Sequence, residues 1–183
     1  MLIKHHWLQN AEKILSPNHD ERPDIDDISL IVIHCISLPP GEFETPHIEQ
    51  LFTNQLNPED HPYFAEIHQL QVSCHVLINR AGKITQYVPF DKRAWHAGQS
   101  EYCGRSRCND FSIGIELEGT ETTDYTEIQY LQLGKLITSL IQNYPKLNKQ
   151  SITGHCDIAP GRKTDPGNSF DWLKLEGLLS SSV

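Results

Sequence analysis

The sequence predicts one α+β domain in which a central mixed β-sheet is flanked by helices. Three stretches carry this. Residues 29–34 form an unbroken, largely β-branched run, residues 111–118 alternate strictly, and residues 124–143 place apolar side chains at helical spacing. A continuous β-branched run is the pattern of a strand buried on both faces. The alternation puts Phe111, Ile113, Ile115 and Leu117 on one face and Ser112, Gly114, Glu116 and Glu118 on the other, because successive strand side chains point oppositely. Ile128, Leu131, Leu133, Leu136, Ile137, Leu140 and Ile141 would make an amphipathic helix packed on the sheet.

Along the chain, residues 1–27 are polar, with SPN at 16–18 and RPD at 22–24. They predict a short helix over 8–15 and then an irregular lead-in. The strand at 29–34 is broken by Leu38-Pro39-Pro40-Gly41. Helical spacing returns over 48–54. Residues 73–79 and 84–89 read as short strands either side of Arg80-Ala81-Gly82-Lys83, a hairpin signal. Pro145 ends the helix at 124–143. Residues 151–169 read as a loop rich in Gly and Pro, and 170–179 as a closing helix. Apart from Ser180-Ser181-Ser182 there is no low-complexity stretch, no repeat and no linker, so residues 1–183 are expected to form a single domain.

Composition excludes several classes of partner. Fifteen Lys and Arg against 24 Asp and Glu give a net charge of −9. With no basic block there is nothing to neutralise a phosphate backbone, so nucleic acid is excluded as a partner. The strongest apolar run, Leu30 to Ile33, is too short to cross a bilayer. No apolar stretch follows the first six residues as a secretion signal would. A cytoplasmic protein without membrane contact is the expectation. Five cysteines at irregular spacing, with no CxxC pair, argue against a disulfide framework and against a thiolate zinc knuckle.

Three clusters could carry chemistry: His34 at the end of the buried strand, Thr153-Gly154-His155-Cys156-Asp157, and Gly161-Arg162-Lys163-Thr164-Asp165-Pro166-Gly167. Two imidazoles and one carboxylate would supply three of zinc's four ligands and leave one place for water. Asp165 precedes a proline and is biased toward extended backbone. Lys163 would then project to the same side, where a cation could stabilise an oxyanion. Glu116, on the polar face of its strand, has the chemistry of a general base. Spacing alone leaves open that His34 is a hydrogen-bonded structural residue, that Glu116 is solvated, and that Lys163 and Asp165 are a surface pair worth about 0–1 kcal/mol.

Longer motifs narrow this. Residues 34–43 (HCISLPPGEF), 88–98 (VPFDKRAWHAG), 107–119 (RCNDFSIGIELEG), 153–155 (TGH) and 163–167 (KTDPG) together resemble the zinc-dependent N-acetylmuramoyl-L-alanine amidases. Within them the chain is most similar to the cytosolic branch that acts on 1,6-anhydro-N-acetylmuramoyl peptides, from about Trp7 to about Leu173. The resemblance implies Zn2+ held by His34, His155 and Asp165, a catalytic carboxylate at Glu116 and an oxyanion-side lysine at Lys163. It implies substrate contacts from Tyr63, Trp95, His96 and Ala97, and an Arg107 that pairs with a peptide carboxylate. His75 would lie near the metal in a supporting or structural role. The implied reaction is hydrolysis of the lactyl–L-alanine amide of a small muropeptide during wall recycling, by a monomer, with an effect on β-lactamase induction where muropeptides are signals.

Two positions depart from the pattern. Cys35 stands where Asn is common, and strand alternation should turn it away from His34 as a packed, inert thiol. Gln71 stands in place of an arginine that helps hold the peptide. Two rival functions remain: a non-catalytic peptidoglycan-fragment binding module, and a cysteine hydrolase using Cys35 or Cys156.

Overall fold

The computed structural model describes residues 1–180; Ser181 and Ser182 of the terminal serine run lie outside the described residues. The polar lead-in forms short ribbons, not a helix. Strand β1 (Ile3–Lys4) pairs antiparallel with β2 (Trp7–Leu8), and β3 (Glu12–Lys13) and β4 (His19–Glu21) follow. The expected helix over 8–15 fails because its apolar residues share no face: Leu8 is 2% exposed and Leu15 70%. The backbone finds long-range partners instead. Leu8 N donates to Gln86 Oε1 at 2.8 Å, and Ile14 N and Ser16 N donate to the carbonyls of Gln86 and Tyr87.

The long β-branched run becomes β5 (Leu30–Ile36). After it come α1 (His47–Phe52), α2 (Phe64–Ile67) and the hairpin of β6 (Val76–Ile78) with β7 (Ile84–Gln86), each strand shorter than the sequence pattern. Strand β8 (Lys92–Ala94) pairs with β4, and β9 (Glu101–Tyr102) with β10 (Arg105–Ser106). The alternating run forms β11 (Ser112–Glu118). Helix α3 (Glu127–Asn143) opens on a Thr126/Gln129 capping box and stops before Pro145. The expected loop at 151–169 holds β12 (Ile152–Gly154) and α4 (His155–Ile158). Three residues give too short a period to read as a strand; their pairing with β5 makes them one. Helix α5 (Trp172–Ser180) closes the domain.

The central sheet has the order β12-β5-β11-β6-β7-β3. The first four strands are parallel, β6 and β7 antiparallel, and β7 and β3 parallel. The sheet is therefore mixed, as expected. On one face Ile31, Ile33, Ile113, Ile115 and Leu117 are sealed under Leu133, Leu136, Ile137 and Leu140 of α3 and Leu175 and Leu179 of α5. Ile128 and Leu131, counted into that stripe from sequence, are instead exposed. The opposite face carries Leu30, Val32 and His34 of β5 and the polar residues of β11.

Candidate active site

The parallel register of β5 and β11 sets Glu116 directly beside His34. On the other flank Gly154 of β12 pairs with Ile33, so His155, the next residue, emerges at the same end of the sheet. This is the carboxyl end of parallel strands, where open α/β sheets leave a crevice. Asp165 is brought back by its own backbone, whose carbonyl accepts from Cys156 N at 2.9 Å.

Three side-chain atoms converge there. His34 Nδ1 lies 2.9 Å from His155 Nδ1 and 3.1 Å from Asp165 Oδ2, and His155 Nδ1 lies 3.0 Å from the same oxygen. All three residues are buried. Burial pushes the pKa of His34 down to about 4 against the pull of Asp165, so its ring is neutral. Burial also opposes the charge on Asp165, but hydrogen bonds and charge from the two facing rings in their protonated form hold its carboxyl well below the usual range. Glu116 differs: burial and then the Asp165 charge raise its pKa well above normal, with Lys163 opposing. Its Oε2 is sealed from solvent and has no hydrogen-bond partner within the protein. Lys163 is exposed at the cleft, near enough for its charge to act on both Glu116 and His34.

A cleft of about 470 Å³ opens over these groups. Tyr63, Trp95 and His96 line it. Ala97 is placed otherwise. Its methyl is buried with Leu30 and Val32, and its carbonyl accepts from His155 Nε2 at 3.1 Å and from Arg162 at 2.6 Å. Arg107 stands exposed outside the cleft lining, paired with Asp110 at 3.2 Å. His75 is fully buried, with Nδ1 accepting from Gly114 N and Nε2 facing Lys92 O, each at 3.0 Å, a structural role. Arg162, which also donates to Gln99 O at 2.6 Å, was not separable from its loop by sequence; only the fold shows what its guanidinium holds.

Cys35 packs on the α3 side, yet it borders the cleft because it lies at the strand's end. Burial pushes its thiol pKa up to about 12, and burial also raises that of Cys156. A nucleophilic thiol needs the opposite shift, which disfavours the cysteine-hydrolase reading.

Residues 24–168 match the family model of the N-acetylmuramoyl-L-alanine amidases. The chain belongs to this family. It is 58% identical over 183 residues to 1,6-anhydro-N-acetylmuramyl-L-alanine amidase AmpD of Escherichia coli K12, covering 100% of both chains. It is 53% identical over 174 residues to AmpD of Haemophilus influenzae, covering 95% of this chain and 93% of that one. Among solved structures, the crystal structure of the Se-Met AmpD derivative superposes with TM-score 0.95 at 58% identity, over 98% of this chain and 99% of that one. The amidase AmiD of E. coli, solved with the substrate anhydro-N-acetylmuramic acid-L-Ala-D-gamma-Glu-L-Lys, superposes with TM-score 0.60 at 30% identity, over 83% of this chain and 57% of that one.

The donor set of this amidase site fits a zinc ion. Two imidazole nitrogens and a carboxylate oxygen lie within 4.8 Å of one another and match the ligand types zinc takes in hydrolases. The ring of His155 has its Nε2 against a carbonyl, which only accepts. Its proton therefore sits on Nε2, and its Nδ1 lone pair faces Asp165 bare. Buried lone pairs that converge without a proton between them call for a cation.

Proposed function

We infer that this chain is an amidase that hydrolyses the bond between the lactyl group of 1,6-anhydro-N-acetylmuramic acid and L-alanine in muropeptides, during cell-wall recycling. The observation that carries this reading is the convergence of His34, His155 and Asp165 beside Glu116 in one cleft. It occurs in a chain 58% identical, end to end, to an amidase named for that substrate.

A zinc ion held by Nδ1 of His34, Nδ1 of His155 and the Asp165 carboxylate would supply Lewis acidity and bring the pKa of water to about 7. The protein's own groups do the rest. Glu116 takes the proton of the attacking water on its unpartnered oxygen and passes it to the leaving amine as general base and then general acid. The Lys163 ammonium stabilises the oxyanion as the carbonyl becomes tetrahedral. Tyr63, Trp95 and His96 form walls against the sugar and the lactyl group. Arg107, solvent-facing, meets the distal carboxylate of the peptide. The reading carries a soluble monomer in the cytoplasm that acts on a small muropeptide without nucleic acid or membrane, and an influence on β-lactamase induction where such peptides signal. No helix among the described residues is long and apolar enough to cross a membrane.

The test is hydrolysis of anhydro-muramoyl tripeptide by purified protein, with zinc quantified before and after chelation. Release of free tripeptide that stops on chelation and returns with zinc is expected. One bound zinc without release would move the substrate elsewhere. Absence of both zinc and release would leave a binding module.

A further inference from the structure

We propose that Ser112 and His96 are positioning residues for the metal site, setting the tautomer of His34 through a three-member relay that ends on a backbone carbonyl. The Ser112 hydroxyl donates to Cys108 O at 2.6 Å. Having given its only proton to an acceptor that has none, Ser112 Oγ can only accept from His96 Nε2, 3.0 Å away. A neutral imidazole with its proton on Nε2 has a bare Nδ1, and His96 Nδ1 lies 2.9 Å from His34 Nε2. That contact requires the proton of His34 to sit on Nε2. The Nδ1 of His34 is then a free lone pair facing Asp165 and His155.

The same result is reached for the two histidine ligands by different routes. His155 uses a carbonyl directly, that of Ala97. The Nε2 of His34 meets His96 Nδ1 instead, and the carbonyl, that of Cys108, is reached through His96 and Ser112. The relay has a built seat. Ser112 is fully buried on β11, and the next residue on that face is Gly114, where a Cβ would collide with Cγ and Nδ1 of His96. The rings of His34 and His96 meet edge to face with centroids 5.0 Å apart. Partners of a ligand's second nitrogen fix ring orientation and basicity, and their loss costs about 10–100-fold in metal affinity.

This inference rests on the zinc reading, and its first test needs no zinc. In the metal-free wild-type protein, nitrogen-15 correlation spectra of the imidazoles should show His34, His96 and His155 each as the Nε2–H tautomer. Ser112→Ala should turn His96 and His34 into tautomer mixtures and leave His155 unchanged. A pure Nδ1–H His34 in the wild type would overturn the relay whatever the variants do. In the second test, zinc affinity is measured by competition with a chromophoric chelator. His96→Leu should weaken it about 10–100-fold, and His96→Asn, whose Oδ1 can accept in place of Nδ1, should recover most of the loss. Wild-type affinity in both Ser112→Ala and His96→Leu would also overturn the proposal. A wild-type protein that takes up no zinc but shows the expected tautomers would sink the zinc reading and leave the relay standing.

Discussion

Both faces of β11 are largely hidden from water, only Glu116 being partly open to the cleft, yet they are built on different terms. Ile113, Ile115 and Leu117 meet a layer of aliphatic side chains from α3 and α5. Apolar packing of this kind is non-directional, and similar volumes can replace one another. On the other face each residue has a specific setting. Ser112 meets His96, Gly114 supports the His96 ring, Glu116 faces the cleft, and Glu118 accepts from the amides of Glu44 and Arg80. Hydrogen bonds and charges depend on direction, so a side chain there either fits its partner or leaves a buried polar group unsatisfied. The strand thus joins a tolerant core to an intolerant site, and single substitutions should separate the two.

The largest effect is expected at the ligand that joins both imidazoles. Asp165→Ala should release zinc and lower the rate on the order of 10⁴-fold, several kcal/mol of lost stabilisation; stoichiometric metal retained after dialysis would mean that the ligand set is wrong. Next comes Glu116→Gln, which should keep zinc and lower the rate by about 10²–10⁴-fold, the scale of general acid–base catalysis. A rate equal to wild type would remove Glu116 from the proton transfer.

Acid should act on the polar side first. A buried histidine whose folded-state pKa is lowered contributes stability that is complete above its unfolded pKa and is lost as pH falls toward the folded value. For His34 the window runs from 6.5 down to about 4 and amounts to roughly 3 kcal/mol. His75 and His96 shift in the same direction. Thermal melts of the zinc-free protein should fall steadily across that window, and the carboxyl of Asp165, lowered in the folded state, should extend the loss below it. A melting point constant from pH 6.5 to 4 would contradict neutral buried imidazoles.

The smallest effects make the sharpest contrast. Gly114→Ala adds one methyl against His96 and should cost about 1–3 kcal/mol as overpacking, with weaker zinc binding. Ile115→Val, one residue away on the opposite face, should cost about 0.5–1.5 kcal/mol with zinc affinity unchanged. Urea unfolding and chelator competition on the pair measure both quantities. Equal losses of zinc affinity would show that the two faces are not energetically distinct.

What the sequence by itself determined was the set of elements with strong local period: the β-branched β5, the alternating β11, the capped α3, and the residue types in the loops that follow. Period is a property of neighbours along the chain, so it survives without the fold. It failed over residues 8–15, where apolar residues occur without a shared face, and at β12, which is too short to show a period. The candidate metal ligands were visible as residue types and gained definition only from longer motifs. Tertiary structure alone decided that Glu116 stands in register with His34, that Ala97 offers its carbonyl in place of its side chain, and that Ser112 ends a relay on Cys108. Each of these depends on which distant segment lies alongside, and on which nitrogen or oxygen faces it. Such pairings are set when the strands dock, and no local pattern encodes them.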